Sequence, residues 1–341
     1  MGPPRAAIFG LSGPRLSEDE RAFFRAADPL GFILFQRNCV DRQQVHDLIG
    51  ALKDCVGRDD APILIDQEGG RVQRLKPPVW RAAPAGARFA ALAERHEDDA
   101  VEAAWLNARM LADELSTLGI TVNCAPVLDI PSPGAHDVIG DRAYGATPER
   151  VALLGRAVSA GLLAGGVLPV IKHIPGHGRA RVDSHAALPV VDADRATLER
   201  TDFAPFCALA RMPWAMTAHI VYTALDPDRP ATTSARVIAD VVRGWIGFDG
   251  LLISDDLCMG ALAGSVAERA EATLAAGVDA VLHCNGVLAE MEAVAAVSPA
   301  LGPRALERLR HGETLRTAGL VPLQLQTAAL RLESLLGRQV T

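Results

Sequence analysis

The sequence has few aromatic residues, no excess of basic charge and no long apolar run. Of 341 residues, 15 are aromatic (4 Trp, 2 Tyr, 9 Phe), and 41 acidic residues against 34 basic ones give a formal net charge of −7. Nucleic-acid binding needs a concentrated basic face and stacking platforms, so we expect no nucleic-acid partner. The longest apolar run, 160–171, has 12 residues, which is too short to cross a bilayer.

The cysteine pattern argues against both a disulfide framework and a thiolate metal centre. The six cysteines lie far apart with no Cys-x-x-Cys pair, and the chain has no Asn-x-Ser/Thr sequon. The N-terminal MGPPRAAIFGLSG lacks the apolar segment of a secretion signal. These features predict a cytoplasmic protein, expected to be a monomer, with no metal, no cofactor and a small polar substrate.

Short apolar runs alternate with stretches of helical periodicity along the whole chain. The clearest helix spans 101–118 and is closed by Gly119. Eight runs read as strands: 7–9, 31–35, 62–66, 121–127, 168–173, 214–220, 251–255 and 280–284.

These runs are continuously apolar, as parallel strands are when helices cover both faces of their sheet. We therefore predict a single (β/α)₈ barrel over 1–341, with one or two C-terminal helices (302–338) packed on its wall. An open doubly wound sheet would need a G-x-G-x-x-G after its first strand, which is missing here.

Ionisable residues follow the predicted strands. In a barrel these strand ends meet at one mouth, and buried charges need partners or a ligand; a self-contained ring of ion pairs is the alternative. The strand ends in question carry Asp66, Lys172, His173, His219, Asp255, Asp256 and His283.

The loop after the third strand contains Gly69 and Gly70, which permit a sharp turn that would bring Asp66 and Arg74 to the same mouth. An Asp beside an Arg suits sugar hydroxyls, although a structural ion pair is equally compatible with this segment. Glu68 and Arg71, in the same loop, read equally well as scaffold. Arg142, in the long loop after the fourth strand, could also reach the pocket.

The loop after the fifth strand, KHIPGHGRARVDSH, carries the most chemistry. Asp183 lies two residues before His185, so its carboxylate could bind the imidazole Nδ1–H and leave Nε2 for proton transfer. After the seventh strand, Asp255 could attack an acetal carbon opposite such a proton donor. We expect Asp256 to cap the following turn or to pair with a basic loop, although strand parity alone does not separate the two Asp residues.

Several segments of the sequence resemble glycoside hydrolase family 3. They are IDQEGGRVQRL, DRAYG, KHIPGHGRARVDSH, TAHIVY with PATTS, and ISDDLCMGAL. Within that family they are similar to the single-domain bacterial β-N-acetylglucosaminidases of cell-wall recycling. The resemblance implies a (β/α)₈ barrel and retaining hydrolysis through a covalent glycosyl-enzyme intermediate. It further implies a terminal N-acetylglucosamine substrate, carried on a muropeptide or chitooligosaccharide.

The resemblance also implies residue roles. Asp255 matches the nucleophile, and His185 oriented by Asp183 matches the acid/base. The residues that match sugar-binding positions are Asp66, Arg74, Arg142, Lys172 and His173. The sequence departs from the family pattern at Ile174 (Phe expected), Ala143 (Ser common) and Cys258 (Ser usual).

Other functions stay open at this point. Phosphorolysis is compatible with a His acid/base, because a second carboxylate would repel phosphate. A non-catalytic glycan-binding barrel would leave an aryl N-acetylglucosaminide uncleaved. A metal-dependent hydrolase, which a strong chelator would inactivate, would use His173, His177, His185, His219 and Asp255 as ligands.

Overall fold

Eight parallel strands close into a barrel in the computed structural model, which describes residues 2–184 and 187–337. Each strand pairs with its neighbours in chain order, and β1 pairs with β8 to close the ring. The predicted barrel is confirmed. The strands are β1 (Arg5–Phe9), β2 (Pro29–Leu34), β3 (Ile63–Ile65), β4 (Val122–Asn123), β5 (Leu168–Ile174), β6 (Trp214–Thr217), β7 (Leu251–Asp256) and β8 (Ala280–His283).

Helices cover the outside of the barrel between these strands. The predicted helix 101–118 is confirmed as all but the first turn of α4, which ends at Leu118 and is capped by Gly119 with φ 89°. A π-helical segment, Val237–Trp245, precedes β7. The α-helices are α1 (Glu18–Ala27), α2 (Arg42–Val56), α3 (Gly86–Ala93), α4 (Glu97–Leu118), α5 (Pro148–Ala164), α6 (Arg195–Arg200), α7 (Ala204–Ala208), α8 (Val266–Ala275), α9 (Leu288–Val297), α10 (Pro303–Thr317) and α11 (Leu325–Gly337).

Successive residues of a strand pack in different hydrophobic clusters. Ile8 and Ile33 belong to a cluster that draws on all eight strands and fills the barrel. Their neighbours Phe9 and Phe32 pack in a second cluster with the surrounding helices. Successive strand residues point to opposite faces, so burial of both faces explains the continuously apolar runs.

The chain after residue 302 forms two helices. Leu306 and Leu309 of α10 pack against the barrel-filling cluster, which also contains Leu168 and Trp214 from the first positions of β5 and β6. Helix α10 therefore covers the amino end of the barrel. Helix α11 lies beside α4, where Arg331 donates to Glu102 at 2.8 Å.

Several strands are shorter than the sequence predicts, and the largest difference is at β4. The 121–127 run pairs as a strand only over β4, because the chain turns at Ala125, whose N–H donates to Asn123, and Pro126 has no N–H to donate. Pairing resumes at an isolated bridge between Val127 and Lys172. No helix formed by the described residues combines the length and apolar character of a membrane span.

Candidate active site

A pocket of about 250 Å³ opens at the carboxyl ends of the barrel strands. Side chains from strands β2 to β8, or from the loops that follow them, line it. A larger cavity of about 540 Å³ lies between α3 and the loop before α5, and alanines form much of its wall. The polar side chains in the wall of the first pocket are Asp66, Glu68, Arg74, Arg142, Lys172, His173, His177, Ser184, Asp255 and Asp256.

A two-stranded hairpin after β3 presents the acidic wall of this pocket. Its strands are Gln67–Gly69 and Val72–Gln73, and Gly69 and Gly70 turn the chain at φ 104° and 56°. Residues other than glycine seldom adopt such angles. The buried Gln67 side chain anchors the hairpin by accepting from the N–H of Arg74 at 2.9 Å. The sharp turn predicted here is confirmed.

Five charged side chains form a chain of alternating sign along this wall. Asp66 lies between Arg74 (Oδ2 to Nη2, 3.0 Å) and Lys172 (Oδ1 to Nζ, 2.8 Å). Glu68 continues the chain from Lys172 (Oε1 to Nζ, 2.7 Å) to Arg142, which donates to both of its oxygens at 2.8 and 2.9 Å. Three cations against two carboxylates leave the chain with a formal charge of +1.

Burial and the neighbouring charges shift the pKa values of these side chains in opposite directions, and the neighbouring charges have the larger effect. Burial would raise the pKa of Asp66, but Lys172 and Arg74 hold that pKa well below its ordinary value. Burial would also raise the pKa of Glu68, yet Arg142 and Lys172 lower it to about 2. The Lys172 side chain is 2% exposed, and the two carboxylates raise its pKa above the ordinary value despite burial. Asp66, Glu68 and Lys172 are therefore ionised near neutral pH.

A second group, built around His173 of β5, links two carboxylates through an imidazole. The buried Asp129 lies 2.7 Å from Nδ1 of His173, and its other oxygen accepts from the backbone N–H groups of His173 and His177. Because a carboxylate only accepts, Nδ1 carries a proton and Nε2 faces outward. Nε2 lies 4.0 Å from Oδ2 of Asp255.

Asp255 and Asp256 have different environments at the end of β7. Asp255 lines the pocket with 17% of its side chain exposed; burial would raise its pKa, but His173 and His219 lower it. Oδ1 of Asp256 accepts from the N–H groups of Cys258 and Cys284. The structure therefore confirms Asp256 as the cap of the following turn.

The β5 loop returns to the pocket at Ser184. The Ser184 hydroxyl lies 3.0 Å from Nε2 of His177, and its carbonyl accepts from the N–H of Ala261 beyond β7. Burial and the charge of His173 lower the pKa of His177 to about 4. Gly178 has no room for a side chain, because a Cβ would lie 1.8 Å from the Ile130 carbonyl oxygen.

The two predicted members of the proton-transfer dyad differ in what the structure describes. Asp183 lines a shallow depression that shares Val138 and Arg142 with the pocket. Its carbonyl accepts from the N–H of Ala187. His185 lies outside the described residues.

Sequence reasoning missed two members of the site. Asp129 was not singled out, although it directly follows the apolar run 124–128, as the other strand-end charges follow theirs. Glu68 read equally well as scaffold, yet it holds both Arg142 and Lys172. Arg71, from the same loop, pairs instead with Asp137 and Asp141 outside the pocket.

Three of the histidines considered as metal ligands have other partners in the described part of the chain. His219 is buried, with Nδ1 2.7 Å from Thr232 and Nε2 3.1 Å from the Asp256 carbonyl. This contact joins the TAHIVY and PATTS segments. His173 bonds to Asp129 and His177 bonds to Ser184. Each of these three rings therefore has a hydrogen bond to another side chain.

Comparison with known proteins identifies the family. The profile described as "Glycosyl hydrolase family 3 N terminal domain" matches residues 11–303. The chain belongs to this family, as the motifs indicated.

Its relatives are named for hexosaminidase activity. The chain is 42% identical over 289 residues to the "Beta-hexosaminidase" of Alkalilimnicola ehrlichii, covering 84% of this chain and 81% of that protein. It superposes on NagZ from Neisseria gonorrhoeae in complex with N-trifluoroacetyl-D-glucosamine with a TM-score of 0.87, 32% identity and 98% coverage of both chains. A family 3 β-N-acetylglucosaminidase from Paenibacillus superposes with a TM-score of 0.85 and 32% identity; the match covers 97% of this chain and 66% of that one.

Proposed function

We propose that this chain is a retaining exo-β-N-acetylglucosaminidase. It removes terminal N-acetylglucosamine from cytoplasmic peptidoglycan fragments, GlcNAc-1,6-anhydro-MurNAc with or without peptide. The family is one of glycosyl hydrolases, the curated relative is a β-hexosaminidase, and the Neisseria structure holds an N-acylated glucosamine. All six cysteines are free thiols, which supports a reducing compartment.

The observation that carries this proposal is the environment of Asp255. Its carboxylate lies in the pocket, its pKa is held low, and the imidazole Nε2 of His173 lies 4.0 Å from its Oδ2. A nucleophile must be ionised yet not held in a tight ion pair, because it has to form a bond to carbon. Asp255 meets both conditions, whereas Asp66 and Glu68 are ionised but tightly paired.

The acid/base is proposed to be His185, with Asp183 orienting its ring. The described chain supports this at its flanks, since Ser184 lines the pocket and contacts both His177 and Ala261. Asp183 lies in the depression that adjoins the pocket at Arg142.

Two displacements then complete the reaction. In the first, Asp255 forms an ester bond to the anomeric carbon while protonated His185 gives its proton to the departing glycosidic oxygen. In the second, water attacks the anomeric carbon, the ester bond breaks, and the now neutral His185 accepts the proton of that water. The two inversions leave the configuration retained.

The chain of alternating charge is proposed to bind the terminal sugar. Asp66 would accept from adjacent hydroxyls, and Arg74, Lys172 and Arg142 would donate to sugar oxygens. His173 would accept from a sugar hydroxyl at Nε2, because Asp129 holds the ring proton on Nδ1. Charged partners make strong hydrogen bonds to hydroxyls, and here the donors and acceptors are already fixed by one another.

Trapping with a slow 2-fluoro sugar tests the proposal directly. We expect a covalent adduct that peptide mapping places on Asp255, and a product of retained configuration by NMR. A label on any other residue, or an inverted product, would contradict the mechanism. The same assay in phosphate buffer separates hydrolysis, which we expect, from phosphorolysis, which would yield a sugar phosphate.

A further inference from the structure

Three potential metal ligands meet at the carboxyl end of the barrel, outside the pocket wall. Cys258 lies in the turn after β7, His283 is the last residue of β8, and Glu290 is in the first turn of α9. One ligand atom from each lies within 4.8 Å of the other two. They are the one such group of His, Cys, Asp and Glu found within residues 2–184 and 187–337.

The His283 ring makes its polar contact with Glu290, another member of this group. The ring is buried, with Nε2 3.0 Å from Oε2 of Glu290. Within the described chain, Nδ1 of His283 has no hydrogen-bond partner. Asn285 steadies the carboxylate by donating to Glu290 Oε2 at 2.5 Å, and accepts from the N–H of Val287. The imidazole and carboxylate are therefore held in place.

We propose that Cys258, His283 and Glu290 form a binding site for a divalent cation of the zinc class. Thiolate sulfur, imidazole nitrogen and carboxylate oxygen are the three ligand types that zinc accepts in proteins, and a water would complete a tetrahedron. Hard cations such as Mg²⁺ prefer oxygen ligands alone. The Glu290 side chain is 40% exposed, which gives the cation access from solvent.

Binding exchanges a thiol proton for the cation. Without metal the sulfur is protonated and His283 bonds to Glu290. With metal, the proton passes to solvent, and the sulfur, the ring nitrogen and the carboxylate contact the cation instead of one another.

The site would join three segments of the barrel mouth. It would tie the turn after β7 to β8 and α9. That turn is also held by Asp256, which accepts from the N–H of Cys258. Metal binding should therefore stabilise the fold next to the pocket. The site is independent of the proposed glycosidase chemistry, because none of its ligands lines the pocket.

Cobalt substitution is the direct test, since tetrahedral Co²⁺ bound to thiolate gives a sulfur-to-metal charge-transfer band. The full chain is stripped of metal and titrated with Co²⁺, and Zn²⁺ affinity is then measured by competition with a chelating dye. Cys258→Ser is compared with Cys207→Ser, which removes an exposed cysteine elsewhere. Serine is the usual residue of the family at position 258, so that variant is expected to fold.

We expect one Co²⁺ per chain with the charge-transfer band in the unmodified protein and in Cys207→Ser. The band should vanish in Cys258→Ser, and Zn²⁺ should bind at least tenfold more weakly to His283→Gln and Glu290→Gln. Zn²⁺ should raise the thermal midpoint of Cys207→Ser but not of Cys258→Ser, because ligand binding to the folded state stabilises it. A missing band in the unmodified protein, or unchanged Zn²⁺ affinity in Cys258→Ser, would overturn the proposal.

Discussion

Two groups of charged side chains in the pocket differ in how tightly their carboxylates are paired. On the wall built by the β3 hairpin and β5, Asp66 and Glu68 each contact two cations at 3.0 Å or less. Asp255, at the end of β7, instead has the His173 imidazole as its partner, with Nε2 at 4.0 Å and Nδ1 held by Asp129. Both sets of carboxylates are ionised, but only one is held in tight ion pairs.

Tightly paired carboxylates are suited to fixing the positions of neighbouring groups, whereas a loosely paired carboxylate is suited to reacting. Buried ion pairs need good geometry to offset desolvation, and the first wall has it in the bidentate Arg142 to Glu68 pair. Such groups keep their positions and present fixed donors and acceptors. A loosely paired carboxylate keeps its charge and remains available to an incoming carbon atom. The predictions below test this contrast, beginning with the largest effect.

Removing the loosely paired carboxylate should have the greatest consequence. Asp255→Asn should lower kcat by at least about 10⁴-fold, because the nucleophile is lost. Asp256→Asn is the matched comparison: it keeps an oxygen that can accept from Cys258 and Cys284, so its kcat should fall far less. Steady-state kinetics on an aryl N-acetylglucosaminide measures both. Equal losses would show that the two Asp residues are not distinguished as the geometry indicates.

The dyad prediction extends the contrast to the β5 loop. Asp183→Ala should lower turnover by about 10²- to 10⁴-fold on substrates with poor leaving groups, which depend on acid assistance. Activated aryl glycosides should lose less in the first step. A series of aryl leaving groups measures the dependence, and a loss of the same size across the series would contradict the assignment of Asp183 and His185.

Breaking the tightly paired wall should cost stability. Glu68→Gln leaves Arg142 and Lys172 short of a buried partner, which should lower the free energy of unfolding by about 3–5 kcal/mol. Glu94→Gln is the control, because it breaks a single Glu to Arg150 pair at the surface, expected to contribute at most about 1 kcal/mol. Urea denaturation at neutral pH measures both; similar losses would remove the distinction between buried and exposed pairs.

The same glutamate predicts a pH dependence. In the folded protein the pKa of Glu68 is lowered to about 2 by Arg142 and Lys172, which outweigh burial. Its stabilising contribution, equivalent to roughly 3 kcal/mol, is present above the ordinary Glu pKa of about 4.3 and is lost as pH falls towards 2. The stability of Glu68→Gln should therefore decline less steeply between those pH values. Parallel slopes in urea unfolding at acid pH would show that Glu68 is not the group responsible.

The smallest effect concerns the residue behind His173. Asp129→Asn replaces a carboxylate that accepts from Nδ1 and from two backbone N–H groups, which should cost about 1–3 kcal/mol of stability. Because the amide can also donate, the Nδ1–H tautomer of His173 is no longer enforced. We expect a raised KM and an altered pH profile. An unchanged pH profile would show that Asp129 supports only the loop.

The placement of ionisable residues at the ends of the strands could be predicted, because it depends on the local sequence pattern. Apolar runs that stop at Asp66, Lys172 or Asp255 place charges at the mouth of a parallel barrel whatever the side-chain details. The pairing of those charges could not be predicted, because Glu68 and Arg142 come from distant loops. The hairpin turn at Gly69 brings the first of them to the second.

The sequence by itself determined the barrel, through continuously apolar strands at regular spacing, and it determined which strand ends carry ionisable residues. Only the tertiary structure decided which carboxylates are held in tight ion pairs and which is not. It also joined Asp129 to His173 and gathered Cys258, His283 and Glu290 from three segments. The reason is physical: burial pattern is a local property of the chain, whereas the ionisation and contacts of a side chain depend on distances of a few ångströms between segments far apart in sequence.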